Sequence, residues 1–472
     1  MGANAKRERQ APTMSRLLLL LILALSAFIQ FSVVARSEFE LPMDSDAAQY
    51  YSSAYNFKNS GIYSNMLTWA WEAPPTKLAP DSLRSPGYPM FLLAIPGLDT
   101  SQAYLRRVSL VQATVAVGSV WMVFLIAARF LQPGWSHLAA AMTAINPHLA
   151  NMSTYLLSET LFLFIMLVAI HLSIRAYWSQ RWASFFVVGL AWGCCSLVRP
   201  TVVFLPALFL LASLIIPKLK VWRIPAVLVF AGFIVIQMPW QVRNQITEMD
   251  PAQGSLMVFT IHHGSYPDFM YKNRLETRGW PFRYDPEGEA AESDLSSALA
   301  DVYKKFRAEP LTYFKWYLLG KPVTFLSWGY VQGFDIYVYE TLRSPYKEDG
   351  LFIALRAISL FMHLPFMLFG VGATFVIWWR PNWLRLDENA LSVAKVISCI
   401  VLYAIGFHMI AAPYPRYNVP FRPLLYMLAL VLVSAPFREK PGSGVACGFR
   451  ERITKIIRFI RRRASGQPAT LN

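Results

Sequence analysis

The chain has 472 residues, 55% of them hydrophobic and 15% charged. A soluble domain carries about a quarter charged residues, and the apolar residues here come in unbroken runs near membrane-spanning length. That composition excludes a soluble enzyme, a disordered chain and a disulfide scaffold, and leaves a polytopic, all-α membrane protein. Lys and Arg number 44 against 28 Asp and Glu, a net charge of +16. Much of the excess sits in the tails: Lys6, Arg7, Arg9 and Arg16 against Glu8, and nine basic residues against Glu439 and Glu451 from Arg438 onward. Basic flanks stay on the cytoplasmic side, so both termini are expected inside. No nucleic-acid motif accompanies the charge.

The first apolar run, Leu17–Ala35, follows a basic start and lacks a small-x-small cleavage site, so it reads as a retained anchor. Further charge-free runs lie at about 108–128, 135–150, 160–174, 182–198, 200–217, 224–242, 357–379, 396–412 and 423–437, which makes about ten expected spans. With the N-terminus inside, the basic turns Arg175–Arg181, Lys218–Arg223 and Arg380–Arg385 all fall in cytoplasmic loops. Residues 36–107 and 243–350 become long extracytoplasmic segments. The stretch Leu311–Tyr330 is apolar but broken by Lys315, Gly320, Lys321 and Pro322. Were it to span, the basic turns after it would move outside, so it is expected on the membrane surface or folded back as a lid. The last 35 residues, 438–472, form a basic cytoplasmic tail. There Ile453, Ile456, Ile457 and Ile460 stand at helical spacing among arginines, as in a helix lying on an anionic leaflet.

Cys194, Cys195 and Cys399 lie in apolar runs and Cys447 in the tail, without metal or disulfide spacing. The chain lacks a P-loop, HExxH and GxSxG. His262-His263 has no ligand partner at useful sequence spacing and reads as a solvated loop pair. What remains are acids and arginines on the expected outer side. In order they are Asp44-Ser-Asp46-Ala-Ala-Gln-Tyr50, Arg84-Ser-Pro-Gly-Tyr-Pro89, Ser158-Glu159-Thr-Leu-Phe162, Arg199-Pro200, Arg243-Asn244 and Arg416-Tyr417. Ionisable groups at a membrane edge are costly and point to a site.

This ordered set resembles the GT-C superfamily of polyprenyl-phosphate-sugar-dependent glycosyltransferases. The nearest likeness is to its bacterial branch, related to protein O-mannosyltransferases and the aminoarabinose transferase of lipid A. Residues 15–240 carry most of the resemblance, with Arg416-Tyr417 as a later anchor. Asp46-Ala-Ala-Gln-Tyr50 is similar to the family's D-x-x-x-Y element after the first span, Arg84–Pro89 to its R-x-P-G-Y-P element, and Ser158–Phe162 to its S-E-T-L-F element. The resemblance implies an inverting transferase spanning residues 1–437 that moves a sugar from a polyprenyl-phosphate donor to an extracytoplasmic lipid, glycan or protein. The loop 36–107 would be catalytic and 243–350 would face the acceptor.

Within that chemistry a carboxylate takes the acceptor proton, with Asp46 or Asp44 as candidates. Arginines stabilise the leaving phosphate, with Arg416, Arg84, Arg199 and Arg243 as candidates. Glu159 and Tyr50 are placed as acceptor or supporting residues. Each has a plainer reading: Asp46 as a helix cap, Glu159 as an acid at a helix start, Arg199 as an interfacial side chain. Asp44 and Asp46 form a DxD, compatible with a divalent cation or with none. A transporter or flippase of lipid-linked saccharides is the rival class. Such proteins show internal repeats and broken helices at mid-membrane, and neither is visible here.

Overall fold

A computed structural model describes residues 2–68, 78–248, 255–331 and 334–438, with side chains from Met14 onward. The protein is a helical, multi-pass membrane protein. The first helix, α1 (Gly2–Arg36), leads through a two-residue strand, β1 (Glu38–Phe39), to α2 (Ser45–Ser60) and α3 (Gly87–Ala94). A run of apolar helices follows: α4 (Gln102–Ala127), α5 (Pro133–Ile145), the short α6 (Pro147–Met152), α7 (Glu159–Ser179), α8 (Trp182–Val198), α9 (Leu205–Ile215) and α10 (Arg223–Ile246). The second long segment holds α11 (Leu256–His263), α12 (Gly288–Ala291), α13 (Leu295–Ala308), α14 (Pro310–Lys315), α15 (Lys321–Phe325), β2 (Thr341–Arg343) and α16 (Pro345–Glu348). The chain then re-enters the bundle as α17 (Gly350–Trp379), α18 (Glu388–Ile410), α19 (Pro415–Asn418) and α20 (Arg422–Ser434).

All ten expected apolar runs are helical, but they differ in reach. Among the described residues seven helices are long and apolar enough to cross a membrane. The runs at 135–150, 182–198 and 200–217 form shorter helices: α5 of 13 residues, α8 of 17 and α9 of 11. A span needs about 20 residues at 1.5 Å each. The shortening has local causes. Pro133 and Pro147 open helices and Asn146 caps α6 by accepting from the His148 and Leu149 amides, which divides the third run in two. Arg199-Pro200 ends α8 and separates it from α9. The basic tail expected to carry an amphipathic helix lies outside the described residues.

The stretch Pro415–Phe437 runs through the middle of the bundle, 83% of its apolar window enclosed, against 22% for Pro217–Ile246. Glycines set the closest approach. A Cβ at Gly189 of α8 would stand 2.1 Å from the Val229 carbonyl oxygen of α10, and one at Gly232 would stand 2.2 Å from that of Phe186. The α8–α10 contact therefore tolerates no side chain on either glycine. The two long segments between helices are joined where β1 pairs antiparallel with β2.

The alternation of helices brings the end of α1, the starts of α7 and α19, and the ends of α8 and α18 to one end of the bundle, opposite the N-terminus. Leu311–Tyr330 is not among the spanning helices. Pro310–Phe325 is one helical stretch with a π turn at Trp316–Gly320. Leu311, Phe314, Leu318, Leu319 and Val323 are exposed along it. Lys321 turns inward, fully buried, and donates to the Ile410 and Ala411 carbonyls at 3.1 and 3.2 Å. The lysine that interrupts the apolar pattern thus fastens this helix to the end of α18.

Candidate active site

The site grows from the start of α2. Asp44 is the N-cap: its side chain accepts from the Ser45 amide at 2.7 Å and its carbonyl from the Ala47 amide at 3.0 Å. The capping role weighed for Asp46 therefore belongs to Asp44. Asp46 falls in the first turn, with Gln49 and Tyr50 three and four residues on, so all three share one face of α2. Gly61, with φ of 71°, closes the helix in a left-handed turn open to glycine.

Arg84 comes to that face from the loop before α3. Its Nε donates to Gln49 Oε1 at 2.7 Å, its Nη2 donates to Asp46 Oδ1, and its guanidinium lies 5.1 Å from the Tyr50 ring centre. The loop is held from both sides. A Cβ on Gly87 would lie 2.6 Å from the backbone of Leu197 and Val198, so this glycine lets the Arg84 loop press directly on the end of α8. Arg243 donates to the Asp81 and Tyr63 carbonyls at 2.6 and 3.2 Å, and the Tyr63 hydroxyl donates to the Arg84 carbonyl at 2.8 Å. Arg243 thus braces the loop that carries Arg84 rather than joining the acids.

Arg416 arrives from α19, where Pro415 opens the turn. It donates through Nη2 to Asp46 Oδ2, and its Nε lies 2.9 Å from Glu159 Oε1. That Glu159 oxygen also meets Arg199 Nη1 at 2.9 Å, and Arg199 donates to Ser158 Oγ at 3.2 Å. Ser158 Oγ in turn lies 3.2 Å from the Tyr50 hydroxyl. Tyr417 packs under both cations, 4.6 Å from Arg199 and 5.6 Å from Arg416. Six of the eight singled-out residues, Asp46, Tyr50, Arg84, Glu159, Arg199 and Arg416, therefore form one connected network. Asp44 stands beside it as the cap, and Arg243 behind the loop.

Three arginines face two carboxylates in this network, which leaves one positive charge over. The members differ in depth. The Asp46 side chain keeps 25% of its exposure, Arg416 18%, Arg84 11%, Arg199 10% and Glu159 1%. Asp46, Arg84 and Arg416 line a cavity of about 470 Å³, while Glu159 and Arg199 lie behind them. Burial by itself raises the Asp46 carboxyl, but Arg84 and Arg416 more than offset it and hold the group well below the usual carboxylate range. In this arrangement Asp46 accepts from a guanidinium on each oxygen, and a divalent cation at the DxD would have to displace an arginine.

Several cavity residues carried no sequence signal. The Tyr339 hydroxyl accepts from the Ala47 amide at 3.3 Å and forms part of the wall with Trp280 and Phe259, all from the long second segment. Gln49 was within reach of pattern reasoning, one turn after Asp46. His262-His263 corrects the expectation of a solvated pair. The two residues end α11, His262 is fully buried, and both rings reach Glu292 at 2.8 and 2.9 Å. The partner lies 29 residues after His263, too far for a motif.

Residues 100–242, under a third of the chain, match the family model of dolichyl-phosphate-mannose-protein mannosyltransferase. The matched segment contains Glu159, Arg199 and the α8–α10 contact, the part of the bundle that supports the network from behind. No curated protein sequence matches the chain. Among solved structures, the archaeal oligosaccharyltransferase AglB from Archaeoglobus fulgidus, in complex with an inhibitory peptide and a dolichol-phosphate, is similar at 12% identity and TM-score 0.46. The match covers 96% of this chain and 52% of that one. ArnT from Cupriavidus metallidurans bound to undecaprenyl phosphate is similar at 14% identity and TM-score 0.35, covering 89% of this chain and 78% of that one. The chain spans about half the length of the oligosaccharyltransferase it matches.

Proposed function

We propose that this protein is a GT-C-type glycosyltransferase of the cell membrane. It takes a sugar from a polyprenyl-phosphate donor and passes it, with inversion, to an acceptor hydroxyl on the extracytoplasmic side, both termini being cytoplasmic. The observation that carries this reading is the Asp46–Arg84–Arg416 group. A carboxylate and two arginines open onto one cavity, which Glu40, Asp44 and Glu340 also line, and Glu159 and Arg199 back them, so that three arginines pair with two carboxylates. A family match whose name specifies a dolichyl-phosphate sugar supports the donor class.

The chemistry follows from the electrostatics. As the structure stands, Asp46 is a poor base, because both of its oxygens serve guanidiniums. An incoming phosphodiester competes for those same N–H groups, and charge-assisted pairing draws Arg84 and Arg416 toward it. Asp46 is thereby released and its basicity rises. The acceptor oxygen then attacks the anomeric carbon and its proton passes to Asp46. The bond from that carbon to the phosphate oxygen breaks, and polyprenyl phosphate leaves with the electron pair, its growing charge met by the arginines. Glu159 and Arg199 touch neither reactant and keep Arg416 aimed. The segment 243–350 faces the acceptor, with Pro310–Phe325 resting at the membrane surface as a cover for the donor chain.

The test is release of polyprenyl phosphate by purified protein in lipid, offered a panel of polyprenyl-phosphate sugars with an envelope acceptor extract. Release by the wild type and not by Asp46→Asn is the expected result and names the donor. Equal release by both would remove Asp46 from the base role. A well-folded wild type that releases nothing but moves the lipid across the bilayer would replace the transferase by a flippase.

A further inference from the structure

A second group of titratable side chains lies outside the Asp46 network. His262 Nδ1 stands 2.8 Å from Glu292 Oε1, and His263 Nε2 stands 2.9 Å from the same oxygen. These ligand-type atoms all lie within 4.8 Å of one another. On the far side of the His262 ring, Nε2 is 2.8 Å from the Tyr266 hydroxyl, and that hydroxyl donates to Asp285 Oδ2 at 2.6 Å.

The direction of these bonds decides the tautomer. Because the Tyr266 proton goes to Asp285, the Tyr266 oxygen accepts from His262, so the neutral His262 carries its proton on Nε2. Its Nδ1 then presents a lone pair to a carboxylate oxygen at hydrogen-bond distance. Two acceptors in that position repel unless a cation lies between them. A second proton on a fully buried ring is one solution; a metal ion is the other.

Three features favour the metal. A third donor atom, His263 Nε2, converges on the same point, and its ring is fixed by stacking on Phe282 with centres 3.9 Å apart. The chain from His262 through Tyr266 to Asp285 is the kind of outer contact that orients a metal-binding imidazole. The local charge also fits. Lys305 pairs with Asp301 at 2.5 Å and Lys304 with Glu287 at 2.6 Å, while among the described residues no lysine or arginine stands at ion-pair distance from Glu292 or Asp285.

We propose that His262 Nδ1, His263 Nε2 and Glu292 Oε1 bind one zinc-like divalent cation that ties α11 to the turn between α12 and α13. Two imidazole nitrogens and one carboxylate oxygen are a zinc-type donor set. Bonds of about 2.0–2.1 Å in a tetrahedron put ligand atoms about 3.3 Å apart, so the cluster opens by about half an ångström to admit the ion. The fourth position falls to water on the side where His263 and Glu292 keep about a fifth of their exposure. Phe259 and His263 also line the large cavity. The ion therefore sets one wall of the site without entering the transfer chemistry, and this inference stands independently of the reaction proposed above.

The experiment uses the full-length protein in lipid nanodiscs, stripped with a chelator and dialysed against zinc, with metal per chain counted by mass spectrometry. Cobalt(II) substitution then reports coordination by visible absorption. The wild type retains one zinc per chain. Glu292→Gln and His263→Asn lose it with affinity at least about 100-fold weaker, and Tyr266→Phe, which touches no ligand atom directly, weakens it by about 10–100-fold. Zinc should also protect residues 255–310 from proteolysis in the wild type. A monodisperse wild type that binds no zinc would overturn the proposal and leave a buried imidazolium–carboxylate pair. Zinc retained equally by wild type and Glu292→Gln would place the ion elsewhere and overturn it too.

Discussion

Two arginines six residues apart, Arg416 and Arg422, are used in opposite ways. Arg416 meets two carboxylates, Asp46 and Glu159, at the edge of a cavity. Arg422 is fully enclosed and meets only neutral acceptors: His148 Nδ1 at 2.8 Å and the Ser327 and Trp328 carbonyls at 3.0 and 3.3 Å. The Arg422 region holds the start of α20 against α6 and the 326–331 turn. The Arg416 region sits where ion partners can be exchanged. A cation whose partners are fixed neutral acceptors serves the fold, whereas one whose partner is a carboxylate a quarter exposed at a cavity can hand itself to a ligand.

Substitutions sharpen that contrast. The largest effect is expected for Asp46→Asn, which keeps the shape of the side chain and removes the base. Turnover should fall about 10²–10⁴-fold with the melting temperature little changed, measured as polyprenyl phosphate release. Arg416→Met removes charge from the leaving phosphate and should cost about 10²–10³-fold in turnover. Arg422→Met should do the reverse. It leaves His148 and two carbonyls without a donor and lowers stability by about 2–4 kcal/mol, read as thermal unfolding in detergent, while turnover per folded molecule holds. If Arg422→Met abolished turnover without destabilising the protein, the division between the two regions would fail.

Acidity offers a subtler separation. The Asp46 carboxyl is depressed in the free protein, so its ion pairs with Arg84 and Arg416 persist above the ordinary carboxylate range and are lost only as pH falls below it. The acid limb of kcat/KM should therefore lie below the ordinary carboxylate value of about 4. Once the donor phosphate has drawn the arginines away, Asp46 titrates higher, and the acid limb of kcat should appear at higher pH than that of kcat/KM. Coincident limbs would mean that the arginines do not change partners. The smallest effect belongs to Asp44→Ala: loss of the α2 cap costs about 1 kcal/mol, with turnover near that of the wild type.

Much of the architecture was legible because it rests on runs of apolar residues, which reveal helices without tertiary information. Which runs are long enough to cross was less legible. Asn146, Pro147 and Pro200 shorten helices through capping and missing amides, a local effect that hydropathy averages away. Six of the eight chosen site residues, Asp46, Tyr50, Arg84, Glu159, Arg199 and Arg416, meet because the helix ends, the loop and the first turns of α2 that carry them lie at one end of the bundle. Arg243 had the same credentials, yet its guanidinium turns to loop carbonyls, and no spacing rule distinguishes those targets. The His262–His263–Glu292 cluster was hidden for a different reason. Its members are joined by the folding of a long loop rather than by a helix face, so their proximity has no period in the sequence.

The central claim is that Asp46 and the donor phosphate compete for Arg84 and Arg416, and binding of polyprenyl phosphate alone tests it most directly. Removing the carboxylate charge with Asp46→Asn leaves Arg84 without an ion partner and Arg416 with Glu159 alone. The variant should bind polyprenyl phosphate at least about tenfold more tightly than the wild type, the worth of one charge-assisted hydrogen bond, while failing to turn over. Weaker or unchanged binding by Asp46→Asn would contradict the account, because it would mean that the arginines beside Asp46 are not the groups that receive the phosphate.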